Sequence, residues 1–97
     1  MAAKPLLREK HVFPDGSIIE MVMWQVSKAP PDGPHGIKYR LYHGSADGTC
    51  LVRYDNELGK GDHRHYGARE AAYRFTNVET LMSDFLVDVA RARRSVR

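Results

Sequence analysis

The sequence predicts an α+β fold, in which an antiparallel meander sheet of four or five strands carries one C-terminal helix packed on one face. Three observations support this fold class. Apolar and polar residues alternate with a period of two in the middle of the chain, turn-forming residues separate the apolar stretches, and apolar residues recur at helical spacing near the C-terminus. Because consecutive strands are joined as hairpins, each strand is expected to pair with its neighbour in the sequence.

The first half of the chain predicts two β-hairpins. In the first hairpin, Pro14 fixes φ and Gly16 accepts a positive φ, which is the chemistry of a tight turn. The segment 29–36 separates the hairpins and is expected to be a loop, since it holds three prolines and two glycines. We expect the four strands over Leu6–Phe13, Ile18–Val26, Ile37–His43 and Thr49–Asp55.

The second half begins with a polar segment, 56–67, that holds three glycines and predicts a loop or a short irregular strand. The segment Ala68–Phe75 predicts a further edge strand. A capping box follows, in which the Thr76 hydroxyl caps the amide of Glu79, and a helix then runs to about Arg93. The apolar stripe of this helix, which we expect to pack on the sheet, consists of Val78, Leu81, Met82, Phe85, Leu86 and Val89.

Length and composition predict a single domain over residues 1–97. Hydrophobic residues make up 42% of the chain and charged residues 28%, a balance typical of a folded protein rather than a disordered one. A core of this size is small, so we expect support from a homodimer or from a bound partner protein. The single cysteine, Cys50, excludes an intramolecular disulfide and is interpreted as a buried small hydrophobic residue.

The net charge of +3 favours an anionic partner such as nucleic acid. The N-terminus lacks the apolar core of a signal peptide, and no apolar stretch approaches the roughly 20 residues of a membrane span. We therefore expect a cytoplasmic protein that does not associate with membranes.

Ionisable residues concentrate in the segment 62–66, where His63, Arg64 and His65 follow one another. Attack by an RNA 2′-hydroxyl on a phosphodiester needs a base and an acid, and histidine serves both roles because its pKa lies near neutrality. Arginine offers a fork of donors that matches phosphate. If the segment is extended, the two histidines share a face and the arginine points away. Lys60 or Arg69 would then take the phosphate role.

Two other interpretations of this segment stay open. A His-x-His pair in a strand chelates a metal ion if further ligands are close, and Asp55, Glu57 and Asp62 are candidates, but no Cys pair or His-Glu-x-x-His motif accompanies it. The segment is also compatible with an ordinary solvated loop without function. We predict no metal and no cofactor, and we interpret His11, His35 and His43 as ordinary structural residues.

Basic and aromatic residues alternate in the predicted strands. Such mixtures bind phosphates and stack bases, although tyrosine also favours strands for its own sake. The sheet face that the helix leaves uncovered carries Lys38, Arg40 and Arg53, and is open to a partner.

One set of residues, spread over most of the sequence, forms a recognisable pattern that includes a fairly specific Gly-x-His-Arg-His segment. The set consists of Pro14 to Gly16, Trp24, Lys38 to Arg40, Val52 to Glu57, Gly59 to His65, Glu70, Tyr73, Phe75, Leu81, Asp84 and Phe85. In this pattern the chain resembles the TumE family of toxins from bacterial toxin–antitoxin modules. One departure is that Glu70-Ala71-Ala72-Tyr73 stands where Glu-Glu-Pro-Tyr is expected, so Glu70 is the only acidic residue there.

The resemblance implies a growth-inhibiting toxin that a helix-turn-helix antitoxin neutralises. It implies RNA as the substrate, and together with the histidine pair it leads us to predict a metal-independent endoribonuclease. His63 and His65 would be acid and base in an order that stays open, and Arg64 would steady the phosphate or the fold around it. The expected contacts to the RNA backbone are Lys60, Arg40, Arg53 and Arg69. The alternatives are a non-enzymatic toxin that acts by occupancy and a metal-dependent nuclease that uses the His-x-His segment.

Overall fold

A computed structural model of the protein describes residues 3–26, 35–57 and 61–95. In these ranges the chain forms a six-stranded antiparallel sheet followed by one α-helix. The strands lie side by side in sequence order, so each one pairs with the strand that precedes or follows it. The elements are β1 (Lys4–Val12), β2 (Ile18–Gln25), β3 (Ile37–Gly44), β4 (Cys50–Glu57), β5 (Gly61–Tyr66), β6 (Arg69–Ala72) and α1 (Val78–Ser95).

The predicted α+β class, the meander and the C-terminal helix are confirmed, but the expected number of four or five strands is wrong. The additional strand is β5, which lies in the polar segment where a loop or irregular strand was the prediction. β5 pairs with β4 along its whole length and with β6 on its other side. Because the backbone ladders on both sides satisfy its N–H and C=O groups, β5 needs no apolar side chains of its own to be a strand.

The turn between β1 and β2 has the predicted conformation. Gly16 has a φ of 88°, in the region that glycine enters without steric cost. The amide of Phe13 donates to the carbonyl of Ser17 at 2.8 Å, and the Asp15 side chain accepts from the amide of Ser17 at 2.9 Å. The turn therefore fixes the register in which β1 and β2 pair.

The register divides the side chains of the sheet between two faces. Across the strands, Met21 pairs with Leu41, Leu41 with Tyr54, and Tyr54 with Arg64, and directly paired residues project to the same side. The ring of Tyr54 packs edge-on against the ring of Phe85 of α1, with the two ring centroids 5.7 Å apart. We call this side the helix face and the opposite side the open face. The central row of the open face consists of Arg8, Val22, Arg40, Asp55 and His63.

The core lies between the helix face and α1. Its buried apolar residues are Ile19, Met21, Met23, Tyr39, Leu41, Val52, Tyr54, Leu81, Phe85, Val89 and Ala92. The predicted apolar stripe is confirmed at Leu81, Phe85 and Val89, but Leu86 is 42% exposed. Leu86 lies about 100° around the helix from Phe85, which turns its side chain away from the sheet.

Helix α1 begins at Val78, one residue later than a cap at Thr76 would place it. The side-chain oxygen of Asn77 accepts a hydrogen bond from the amide of Thr80 at 2.7 Å. The expected capping box from Thr76 to Glu79 is therefore wrong, and Asn77 is the N-cap. Asparagine is among the best N-cap residues, which explains why the helix uses it in preference to the neighbouring threonine.

Within the described ranges, no helix has both the length and the apolar character that crossing a membrane requires.

Replacing Phe85 tests the position of the core. The Phe85→Ala variant removes a fully buried ring, so we expect the free energy of unfolding to fall by about 3–5 kcal/mol. The adjacent variant Leu86→Ala removes an exposed side chain and is expected to change it by about 0.5 kcal/mol or less. Urea denaturation followed by circular dichroism measures both. Equal losses in the two variants would contradict the placement of α1.

Candidate active site on the open face

Four polar residues form a two-by-two array in the middle of the open face. Asp55 of β4 pairs with His63 of β5, and Arg53 of β4 pairs with His65 of β5. Since side chains alternate along a strand, residues two apart project to the same side, and all four side chains meet there. We call these four residues the open-face cluster.

Within the cluster, the imidazole of His63 contacts the carboxylate of Asp55. Nε2 of His63 lies 2.7 Å from Oδ1 of Asp55, and Nδ1 lies 3.2 Å from the carbonyl oxygen of Gly61. Both ring nitrogens therefore face oxygen acceptors, so whichever nitrogen carries a proton points it at an oxygen. His63 and Asp55 are only 7% and 6% exposed.

The contacts of the Asp55 carboxylate are close but poorly directed. Although His63 Nε2 is 2.7 Å away, Oδ1 is buried without an aligned hydrogen-bond donor. Nε of Arg53 lies 3.2 Å from Oδ2 and is likewise without an aligned acceptor. The short distances show that Asp55 interacts electrostatically with both side chains, while its lone pairs are not saturated by hydrogen bonds.

His65 has the opposite environment. Nη2 of Arg53 lies 2.9 Å from Nε2 of His65, and a guanidinium can only donate. Nε2 of His65 therefore accepts this hydrogen bond with its lone pair, which places the ring proton on Nδ1. The ring centroids of His63 and His65 are 5.3 Å apart. Within the cluster, one imidazole thus faces the carboxylate of Asp55 and the other faces the guanidinium of Arg53.

Glu70 of β6 reaches over both histidines from the edge of the sheet. Its Oε2 lies 3.4 Å from Nε2 of His65 and 3.7 Å from Nε2 of His63, and its side chain is 57% exposed. Glu70 therefore places an anionic group between the two imidazoles, on the side of the cluster that solvent reaches. Any phosphate that contacts both histidines must displace this carboxylate.

Three members of the site could also hold a metal ion. Asp55, His63 and His65 each offer one ligand atom, and these atoms all lie within 4.8 Å of one another. Two histidines and a carboxylate are a donor set that zinc uses. Arg53 opposes this, because its positive charge lies 2.9 Å from His65 Nε2. Binding of a cation through that nitrogen requires Arg53 to withdraw.

Arg64 lies on the helix face, away from the two histidines. Its Nη1 donates to the hydroxyl of Tyr54 at 3.0 Å and lies 3.5 Å from the carboxylate of Asp88. The same hydroxyl donates to Asp88 at 2.5 Å. Burial and this hydrogen bond raise the pKa of Tyr54 above its usual range, so its hydroxyl stays protonated. Arg64 thereby links β5 to β4 and to α1.

The cationic residues expected to bind RNA divide between the two faces. Arg40 is exposed on the open face, in the strand next to Asp55, with its guanidinium 5.4 Å from the ring centroid of Tyr42. Arg69 lies on β6 and lines a cavity of about 430 Å³ at the helix face, together with Arg64. Lys60 lies outside the described residues. The structure therefore brings Arg40 and Arg53 to the side of His63 and His65, but not Arg64 or Arg69.

Two of the other histidines have structural contacts. His43 is fully buried, with Nδ1 2.9 Å from the carbonyl oxygen of Ile18. The ring of His35 stacks on the ring of Phe75, with the centroids 3.9 Å apart, and its Nε2 lies 2.8 Å from Oδ2 of Asp62. Asp62, a candidate metal ligand by sequence, therefore faces the side of the sheet away from the cluster.

The sequence indicates Asp55 only as a candidate metal ligand. It indicates Glu70 only as the one acidic residue that stands where the family has Glu-Glu-Pro-Tyr. The signal for Asp55 is its two-residue spacing from Arg53, which puts both on one face. Its pairing with His63 could not be predicted, because the register of β5 was unknown. The position of Glu70 beside the histidines depends in turn on the pairing of β6 with β5.

A family model described as Toxin TumE matches residues 2–93, nearly the whole chain. The chain belongs to the TumE toxin family. The match includes all six strands and the open-face cluster, and it confirms the resemblance seen in the sequence. This TumE-family protein is therefore a toxin of a toxin–antitoxin module, which implies an antitoxin partner. Comparison with curated proteins and with solved structures gave no match.

The location of Arg64 predicts an effect on stability. In Arg64→Gln the contacts to Tyr54 and Asp88 are weakened, and because the arginine side chain is partly exposed, we expect the free energy of unfolding to fall by about 1 kcal/mol. Arg69→Gln removes the same charge from a neighbouring exposed position and is the matched control, with little change expected. Chemical denaturation of both variants measures the difference, and equal stability of the two would contradict a structural role.

Proposed function

We propose that this toxin cleaves RNA, with His63 and His65 of the open-face cluster as the acid–base pair. The observation that carries the proposal is the pair of imidazoles side by side on the open face, one facing Asp55 and the other accepting from Arg53. General acid–base cleavage of a phosphodiester needs two groups in different protonation states. The contacts of the two rings differ in the way that this division of roles needs, since His63 faces oxygen acceptors and Nε2 of His65 accepts from Arg53.

The environments also suggest which histidine has which role. Nε2 of His65 carries a lone pair, so His65 is the base that takes the proton of the 2′-hydroxyl. The 2′-oxygen then bonds to phosphorus, the bond to the 5′-oxygen breaks, and His63 delivers its proton to that leaving oxygen. The products are a 2′,3′-cyclic phosphate and a free 5′-hydroxyl. Asp55 holds His63 in position for this transfer.

Charge on the phosphoryl oxygens increases as the 2′-oxygen attacks. Arg53 donates to His65 within the cluster and exchanges this hydrogen bond for one to the phosphate when RNA binds. Arg40 contacts the next part of the backbone along the open face. Lys60, which lies outside the described residues, and Arg69 remain proposed contacts to the RNA backbone. Arg64 steadies the fold rather than the phosphate.

A helix-turn-helix antitoxin is the proposed partner. The open face carries Arg8, Lys10, Lys38, Arg40 and Arg53, so an antitoxin with acidic groups complements it. Covering this face would block both the cluster and the cationic side chains.

A metal-dependent nuclease is the second candidate, and the spacing of Asp55, His63 and His65 favours it. Purified protein incubated with RNA in EDTA separates the two mechanisms. Cleavage in EDTA supports acid–base catalysis by the histidines, and cleavage that needs added zinc or manganese supports the metal. Tight RNA binding without cleavage under either condition supports a toxin that acts by occupancy.

Removing both imidazoles tests the assignment of the site. We expect His63→Ala combined with His65→Ala to lower RNA cleavage by at least about 100-fold and to abolish growth arrest. His11→Ala removes an exposed histidine from β1 and is the control, with toxicity unchanged. Full toxicity of the folded double variant would refute the proposed site.

Glu70 competes with the phosphate for the two histidines, and its replacement tests this competition. We expect Glu70→Gln to bind a non-cleavable 2′-O-methyl RNA several-fold more tightly, measured by fluorescence anisotropy. Glu79→Gln changes the net charge equally at an exposed position of α1. Equal gains in both variants would show that only overall charge is involved, and weaker binding by Glu70→Gln would contradict the competition.

A further inference from the structure

We propose that a pocket at Trp24 on the open face binds a nucleobase of the RNA strand next to the cleaved phosphate. The role of this pocket in cleavage rests on the proposed ribonuclease function. Its binding of a base does not, and is measured separately below.

The pocket lies across β2, β3 and β4. It has a volume of about 320 Å³, and its lining includes Val22, Trp24, Lys38, Arg40 and Asp55. This volume lies at the lower end of the range of small-molecule sites. Because Asp55 is also a member of the open-face cluster, the pocket and the cluster share a wall.

Trp24 provides a stacking surface within this pocket. Its side chain is half-buried, and Val22 precedes it by two residues on the same face of β2. A partly exposed indole is a flat apolar platform, and bases of any sequence stack on such platforms. The surface is therefore suited to a planar, hydrophobic ring.

Cationic side chains border the same surface. Lys38 pairs with Trp24 across the strands, and Arg40 pairs with Val22. One proton of the Lys38 ammonium is donated to the carbonyl of Asn56 at 3.1 Å, and an ammonium has two further donors. An apolar platform with positive charge along one side complements a base joined to an anionic phosphate.

The position of the pocket defines a path for the strand. Paired residues on neighbouring strands are roughly 4.8 Å apart, so Arg40 lies one strand from Asp55 and two strands from His63. An RNA strand that crosses the sheet in this direction places its base on Trp24, a phosphate over Arg40, and the reacting phosphate over the histidines.

The pocket has little means to select one base. The Asn56 amide, also part of its lining, is committed to the backbone of β3. It donates to the carbonyl of Ile37 at 2.6 Å and accepts from the amide of Tyr39 at 3.0 Å. Asp55 contacts His63 of the cluster and so is not free to read a base. Recognition then depends on stacking and on Lys38, so we expect the pocket to have a weak preference among base types.

The overall charge of the open face favours a nucleic acid over an acidic small molecule bound at one point. Among the described side chains of this face, the basic ones lie on three strands, β1, β3 and β4, and outnumber the acidic ones. The basic residues are Arg8, Lys10, Lys38, Arg40 and Arg53, and the acidic residues are Glu20, Asp55 and Glu70.

Trp24 is the single tryptophan of the chain, so intrinsic fluorescence reports on this pocket directly. The probes are a 2′-O-methyl RNA hexamer, which cannot be cleaved, and an abasic hexamer with the same phosphates. We expect the hexamer with bases to quench the fluorescence of the folded protein and the abasic one to bind without comparable quenching. Equal quenching by both would overturn the proposal, because phosphate contact alone would explain the signal.

Anisotropy of a labelled hexamer provides the second measurement. We expect Trp24→Leu to weaken binding by about tenfold or more, and Trp24→Phe, which keeps an aromatic platform, to weaken it less. Lys38→Ala is expected to weaken binding more than Lys10→Ala, a lysine of the same face outside the pocket. If the folded Trp24→Leu variant binds the hexamer with unchanged affinity, the proposal is overturned. It is also overturned if this substitution weakens binding of the antitoxin but not of the hexamer.

The two proposals fail in different ways. If the protein with His63→Ala and His65→Ala keeps full toxicity while the hexamer still quenches Trp24, the ribonuclease site is wrong and the nucleobase pocket stands. If RNA is cleaved at the histidines while Trp24→Leu binds and cleaves normally, the ribonuclease proposal stands and the pocket is refuted.

Discussion

The pairing register between β4 and β5 is the constraint on which the candidate site depends. It places Asp55 opposite His63 and Arg53 opposite His65, and the alternation of side chains then sends Arg64 to the helix. A shift of one residue would exchange the two sets between the faces. Arg64 helps to prevent this shift, because its contacts with Tyr54 and Asp88 exist in only one of the two registers.

The two faces of β5 have different physical roles. On the helix face, polar side chains close a hydrogen-bonded network over the core, in which the Asp88 carboxylate accepts from Tyr54 and contacts Arg64. On the open face, Oδ1 of the Asp55 carboxylate is buried without an aligned donor. Buried groups with unsaturated lone pairs cost stability and are common at functional sites. The contacts on the helix face thus stabilise β4 and β5, the two strands that hold Asp55 and His63 together on the open face.

The sequence predicts the parts of the fold that periodicity encodes. Alternation places β3 and β4, and helical spacing places α1, because burial on one face dictates both patterns. It could not identify β5, whose polar residues follow no apolar pattern and whose strand conformation comes from pairing on both sides. For the site, adjacency in sequence indicates His63 and His65. Asp55 and Glu70 depend on pairing between strands, which one sequence does not reveal.

The short strand β6 has a consequence for the dynamics of the site. Its four residues are all exposed and pair with one neighbour, β5, so its backbone belongs to the part of the molecule that opens at the lowest free energy. Glu70 is carried by this strand. Local opening of β6 moves the carboxylate away from the histidines while the core between the sheet and α1 stays packed. Fraying at the sheet edge therefore changes how far Glu70 shields the imidazoles without requiring the protein to unfold.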